Sequence, residues 1–180
     1  RVAGADYWGA VSWKFGQKTG LTGAELIETI QANSGYDAYF CNPHPDTEAL
    51  YQNLWLQGET SHPEFVWLAR QVFDAAGLDP EGIDAIWPSS LFATANYFVA
   101  TSAFWDRYLG FVDRVVTDAR DKLSAHGRAM LHSAMADQKG LHASASYLPF
   151  VVERLFSTFL ITEGSGFRVF KYPTEKSAMT

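Results

Sequence analysis

From Leu148 to Ile161 the chain is apolar at nearly every position, and Glu153-Arg154 is the charged pair that interrupts the run. A stretch of this length and spacing reads as a helix that buries most of its surface. At three and four residues from Glu153 lie Pro149, Phe150, Phe156 and Ser157, three of them apolar. A carboxylate in that setting is either paired or raised in pKa, because desolvation disfavours its charged form. Arg154 is adjacent in sequence and so points about 100° away around the helix. It pairs with some other group or faces a ligand. Two readings of Glu153 stay open. It is an acid, base or nucleophile on a cleft, or a buried carboxylate tied to a backbone amide or to an arginine elsewhere.

The remainder of the chain alternates short strand-like runs with helices. Tyr7 to Trp13 has strand composition, followed by turn signals at Gly16 and Gly20. Thr22-Gly23-Ala24-Glu25 has the spacing of a capping box, and the helix it opens runs through Leu26, Ile27 and Ile30 to Asn33-Ser34-Gly35. Tyr36 to Cys41 reads as a buried strand, broken by Asn42-Pro43-His44-Pro45. Asp46 is then placed to cap a helix through Leu50, Leu54 and Trp55. A strand that ends in a polar loop before a helix is a common site layout in open α/β sheets. Ser61-His62-Pro63-Glu64 repeats the capping-box spacing before a helix through Phe65, Leu68, Ala69, Val72 and Phe73, closed by Gly77. Asp79 to Pro88 is loop with about one helical turn. Asn96 to Ala100 is a third strand. Thr101 or Ser102 caps a long helix with apolar positions at Phe104, Tyr108, Phe111, Val112 and Val115. A short helix is expected around Met130 to Met135, and a last strand at Phe167 to Lys171. The expected fold is a mixed, helix-rich α/β single domain, residues 1–180, with a small central sheet. The first residue is Arg1 and not Met. The expectation is that an N-terminal portion of the natural protein precedes it or was removed.

Charge and composition exclude several functions. The net charge is −6 and no segment is rich in Lys or Arg, which argues against nucleic acid, since binding it needs a basic footprint. A nucleotide ligand, needing one or two basic groups, stays open. No apolar run approaches the ~20 residues of a membrane span, and no signal peptide is visible. Cys41 is the only cysteine, which rules out an internal disulfide and reads as a small buried hydrophobe. The expected location is cytoplasmic. Six Trp, eight Tyr and thirteen Phe supply either a large aromatic core or surfaces for stacking on sugar rings.

Four further groups are candidates for chemistry. Asn42 to Asp46 with Glu59 and His62 collects His, Asp and Glu in one stretch, but not at the spacing of a zinc motif. Gln57, Glu59 and His62 read equally as a polar pocket wall. His142 lies among small residues in Gly140 to Ser146, which allow close approach to a ligand. Ser144 and Ser146 stand nearby, but no Gly-x-Ser-x-Gly elbow surrounds either of them. Trp13 and Lys14 end the first strand, and Lys14 and Lys18 are either phosphate contacts or solvated lysines, with no glycine-rich phosphate loop beside them. Asn96 opens the third strand.

Three of these segments together resemble a known family. Tyr7 to Phe15 is similar to an early strand of bacterial polysaccharide-synthesis glycosyltransferases of the capsule and O-antigen type. Asn96-Tyr97-Phe98-Val99, with the helix from Phe104 to Val116, is similar to their asparagine-aromatic strand and following helix. Tyr147 to Phe156 resembles their late helix carrying Glu-Arg-Leu. The resemblance implies a GT-A-like fold that uses a nucleotide-diphospho-sugar donor and a glycan or lipid-linked acceptor; it leaves the cofactor open, a divalent cation such as Mn or Mg being the candidate. Carried over, the family's acidic helix residue falls on Glu153 as the catalytic group, and the candidate substrate-binding residues beside it are Trp13, Lys14, Asn96, His142 and Arg154. The chain departs from the pattern in having no Asp-x-Asp motif, the nearest strand acid being Asp37. It also lacks the N-terminal strands that would hold the nucleotide base. The expectation is therefore a sugar transferase in which Glu153 deprotonates an acceptor hydroxyl. The alternative is a non-catalytic ligand-binding or accessory domain, and a third reading is a structural or oligomerising protein.

Overall fold

A computed structural model of the chain describes residues 5–134 and 145–173. Four strands form one sheet in the order β1-β3-β2-β4: β1 (Tyr7–Gly9), β2 (Ala38–Cys41), β3 (Phe98–Thr101) and β4 (Val169–Tyr172). β3 runs antiparallel to both β1 and β2, while β2 and β4 are parallel, with Ala38 opposite Val169 and Cys41 opposite Tyr172. The helices are α1 (Phe15–Thr19), α2 (Gly23–Ala32), α3 (Thr47–Leu50), α4 (Leu54–Glu59), α5 (Phe65–Ala75), α6 (Ser102–Lys122), α7 (Ala125–His132) and α8 (Leu148–Thr162). The small mixed sheet inside a helix-rich domain agrees with the expected α/β class. No helix among the described residues is long and apolar enough to cross a membrane.

Strand alternation gives the sheet two different faces. Ala38 and Phe40 of β2 and Phe98 and Ala100 of β3 face the main core, where α8 lies over them. Phe156 of α8 stacks on Phe98 with centroids 4.4 Å apart and meets Phe40 edge-on at 5.2 Å. α6 follows, presenting buried Phe104, Tyr108, Phe111 and Val115, and α5 packs against α4 and α6. The opposite face carries Cys41, which joins Phe15, Leu21, Ala95 and Tyr97 in a second, smaller cluster under α1 and the start of α2. Most of the aromatic surplus is thereby core: Trp55, Tyr39, Tyr147, Phe40, Phe65, Phe73, Phe92, Phe104, Phe156 and Phe159 are all fully buried.

Several local expectations are met atom by atom. Thr22 and Glu25 form both halves of their capping box, and the Thr101 hydroxyl caps α6 at the Phe104 amide. Four expectations are revised. The short helix expected around Met130 to Met135 is α7, which starts earlier, at Ala125, under a Ser124 cap. The first strand is three residues long, and Val11 and Trp13 lie beyond it, 44% and 87% exposed. β3 offers β1 partners only from Val99 to Thr101, so nothing extends the ladder further. The helix expected after Asp46 is two helices. Asp46 makes no side-chain cap, Tyr51 is extended, and Asn53 caps α4 by accepting from the Trp55 and Leu56 amides. The Ser61 capping box does not form either. Glu64 occupies the cap of α5 in a left-handed conformation, φ 63°, and the Glu59 carboxylate reaches across to accept from the Glu64 and Val66 amides at 3.0 and 2.7 Å.

Candidate functional site

α8 carries its polar residues as ties to its neighbours. Ser157 accepts from the Ala93 amide at 3.0 Å, and Thr158 accepts from Trp55 Nε1 at 3.2 Å while donating to the Arg154 carbonyl. Arg154 is buried, 6% exposed. Its Nε donates to the Leu54 carbonyl, Nη1 to the Phe150 carbonyl and Nη2 to Gln57 Oε1, each at 2.8 Å. The guanidinium lies over Phe65, 4.6 Å from the ring centroid. Burial lowers its pKa to about 10, partly offset by the neighbouring Glu153 carboxylate, so it remains a cation at neutral pH. Its hydrogen bonds fasten α8 to α4. Glu153 is half-buried on the same helix.

The remaining residues that the sequence singles out are scattered. Asn96 reaches α8, where Nδ2 donates to the Val152 carbonyl at 3.4 Å, one residue from Glu153. Its Oδ1 is buried with no hydrogen-bond partner among the described residues. Trp13 is exposed and Lys14 Nζ sits 4.8 Å from the centre of its ring. His142 lies outside the described residues, as does Ser144. His62 is buried, stacked on Phe150 at 3.9 Å and close to Tyr147 and Phe65. Glu59 is engaged at the start of α5 and Gln57 with Arg154. Among the described residues no group of three or more His, Cys, Asp or Glu side chains could hold a metal ion.

The structure forms a cleft elsewhere, at the carboxyl ends of the parallel pair β2 and β4. Such ends are where open α/β sheets bind their ligands, because loops diverge there and leave a crevice. The cleft has a volume of about 270 Å³ and is lined by Pro45, Glu48, Ser89, Ser90, Lys171, Tyr172 and Pro173. Its floor is a polar network. Asn42, fully buried at the end of β2, accepts from the Thr94 hydroxyl at 2.7 Å and donates to Glu48 Oε1 at 2.7 Å. Lys171, the penultimate residue of β4, donates to the same Glu48 oxygen and to the Ser89 carbonyl at 2.6 Å. Both side chains of the ion pair are 18% exposed. Burial lowers the Lys171 pKa, while its hydrogen bond and charge interaction with Glu48 act in the opposite direction. The network holds four separate segments at fixed positions around one opening.

Part of this site is visible in sequence and part is not. The polar loop after β2 points to the right place, and Glu48 follows it within one turn. Lys171 and Ser89 lie 123 and 41 residues from Glu48 in the chain, and only the parallel pairing of β2 with β4 brings Lys171 there. No protein-family model, no curated protein and no solved structure matches the chain.

Proposed function

We propose that the chain is a non-catalytic ligand-binding domain and that its site is the cleft between Glu48 and Lys171. The observation that carries this reading is the partly desolvated Glu48–Lys171 pair, pinned by Asn42 and Ser89 in an opening at the carboxyl ends of β2 and β4. A surface ion pair contributes little to stability. One that is fixed by further hydrogen bonds on a concave surface provides oriented donors and acceptors for a ligand. The cleft volume, about 270 Å³, is below the ~300–1,000 Å³ of sites for drug-sized ligands. It suits a ligand of one small ring, not a nucleotide-diphospho-sugar. One carboxylate and one ammonium also leave no surplus positive charge for a diphosphate.

A second reading is transfer of a sugar from a nucleotide-diphospho-sugar by a GT-A-like fold, with Glu153 as the base. It is supported by the approach of Asn96 to α8, where its Nδ2 donates to the Val152 carbonyl one residue from Glu153. The two readings separate in one experiment. Thermal shift with small polar compounds and with uridine, guanosine and cytidine diphospho-sugars, with and without manganese, is combined with an assay for nucleotide release. A ligand that binds only the native fold raises the apparent Tm. The binding-domain reading expects shifts from small compounds that vanish in Lys171→Met, with no nucleotide released. Release of nucleotide that stops in Glu153→Gln would establish the transferase instead.

A further inference from the structure

We propose that the cleft takes a ligand with two adjacent hydroxyl groups, a single sugar ring or a polyol of that size, held between Glu48 Oε2 and Lys171 Nζ. This rests on the cleft being a ligand site at all, and it names what the site selects.

Hydrogen-bond capacity at the pair points to this class. Glu48 Oε1 is occupied, since it accepts from both Asn42 Nδ2 and Lys171 Nζ. The second carboxylate oxygen, Oε2, makes no hydrogen bond among the described residues. An ammonium has three N–H donors. Lys171 directs one to Glu48 and one to the Ser89 carbonyl, which leaves the third. The cleft therefore offers an acceptor and a donor side by side, with an ion pair between them. A hydroxyl donates and accepts with one oxygen. Two hydroxyls on neighbouring carbons match this arrangement, one donating to Oε2 and the other accepting from Nζ. Both bonds involve a charged protein group, and such bonds are shorter and stronger than neutral ones.

The same geometry disfavours other classes. A phosphate would meet Lys171 but also the Glu48 carboxylate, and a divalent cation would meet Glu48 but also the Lys171 ammonium. The nearest rival is a zwitterion, such as an amino acid, whose ammonium and carboxylate could pair with Glu48 and Lys171. It would have to compete with the ion pair already formed, whereas a diol leaves that pair intact. Pro45 and Tyr172 supply apolar contact for the ring carbons.

The experiment is amide-resonance mapping on the full chain, titrated separately with glucose, galactose, mannose, glycine and inorganic phosphate. Expected is a saturable shift of resonances in residues 42–48, 89–90 and 171–173 with at least one hexose. Binding should weaken about tenfold or more in Glu48→Gln and in Lys171→Met, the loss of one charge-assisted bond. Glu48→Gln keeps the shape and the Oε1 acceptor, so it reads the chemistry if Lys171→Met folds poorly. Binding of glycine or phosphate at these resonances, with no hexose binding, would overturn the diol assignment and leave the cleft as a ligand site. Hexose binding unaffected by Glu48→Gln would also overturn it. No shift at these resonances with any of the five compounds would overturn both.

Discussion

The Arg154 guanidinium lies over the Phe65 ring, 4.6 Å from its centroid, and both press on Gly58. A Cβ at Gly58 would meet Phe65 carbons at 2.5 and 2.7 Å and Arg154 Nη2 at 2.9 Å. The absence of a side chain at 58 therefore lets α8 dock its arginine on α4. With Gln57 and the carbonyls of Leu54 and Phe150 as its partners, Arg154 acts as a brace between two helices.

Two substitutions test that brace. Arg154→Ala should destabilise the protein by ~3 kcal/mol, because it removes three hydrogen bonds of a buried side chain and leaves a cavity. Arg154→Lys should recover less than half of that loss, because an ammonium cannot span three partners set in a fork. Gly58→Ala should cost about 1–3 kcal/mol by overpacking. Urea denaturation reads all three. A loss below about 1 kcal/mol for Arg154→Ala would remove the bracing role and return the residue to the ligand-facing reading.

A second set concerns the start of α5. Glu64 is the one non-glycine residue at positive φ among the described residues, a conformation that costs an L-residue about 1–2 kcal/mol. Glu64→Gly should stabilise by about 0.5–1 kcal/mol, the relief of strain being partly offset by the entropy of an unfolded glycine. Glu59 satisfies two amides at this helix end, so Glu59→Ala should cost about 1–2 kcal/mol. Thermal melts should move in opposite directions for the two variants. A gain in Glu59→Ala, or a loss in Glu64→Gly, would contradict the capping assignment.

The positions where sequence and structure agree are those decided by local chemistry. The Thr22–Glu25 box and the Thr101 cap need only residues within one helical turn, and the apolar spacing of α6 is an intrinsic period. Differences arise where a distant partner decides. Tyr7 to Trp13 has strand composition throughout, yet only Tyr7–Gly9 pairs, because β3 faces it only from Val99 to Thr101. Gly9 itself is required there, since a Cβ would meet the Phe98 carbonyl oxygen at 2.3 Å. The Ser61 box loses to Glu59, whose carboxylate reaches the same helix end from the other side of a turn. On α8 the sequence marks the charged pair correctly as unusual. It does not show that the arginine, and not the glutamate, is the more deeply buried partner, because that depends on α4, about a hundred residues away. The Glu48–Lys171 cleft is half-legible for the same reason. The loop after β2 is local, and β4 is not.

Cys41 sets an alkaline limit on stability. It is 1% exposed between the sheet and α1, and burial pushes its thiol up to about 12 from an ordinary 9.0. The folded pKa is above the unfolded one, so this contribution is complete below about pH 9 and is lost as pH rises towards 12. Between pH 8 and 10.5 the loss from this one thiol should be about 2 kcal/mol, at about 1.4 kcal/mol per pH unit. Tyr108, also raised by burial, adds to the decline from higher pH. Cys41→Ala should therefore lose less stability than the unsubstituted chain over that interval, measured by urea denaturation at both pH values. Parallel loss in the two proteins would show that the thiol ionises readily in the fold.

Lys171 titrates under the control of Glu48. Burial lowers its pKa, and the Glu48 carboxylate opposes that shift through a hydrogen bond and through charge. Glu48→Gln removes the charge and most of the opposing effect, so the Lys171 pKa should fall further in the variant. The sign for stability follows from the direction. When a base has its folded pKa below its unfolded value, the unfolded chain binds more protons between the two, and stability rises with pH across that window. Glu48→Gln should thus lose about 1–2 kcal/mol at neutral pH, where the half-buried ammonium has lost its charged partner. Part of that loss should return as pH climbs through the lowered Lys171 pKa. Heteronuclear titration of the lysine side-chain resonances measures the first effect, and urea denaturation at pH 7 and pH 10 the second. An unchanged Lys171 pKa in Glu48→Gln would mean that the two groups do not form the ion pair in solution, and the donor and acceptor on which the cleft depends would not be held together.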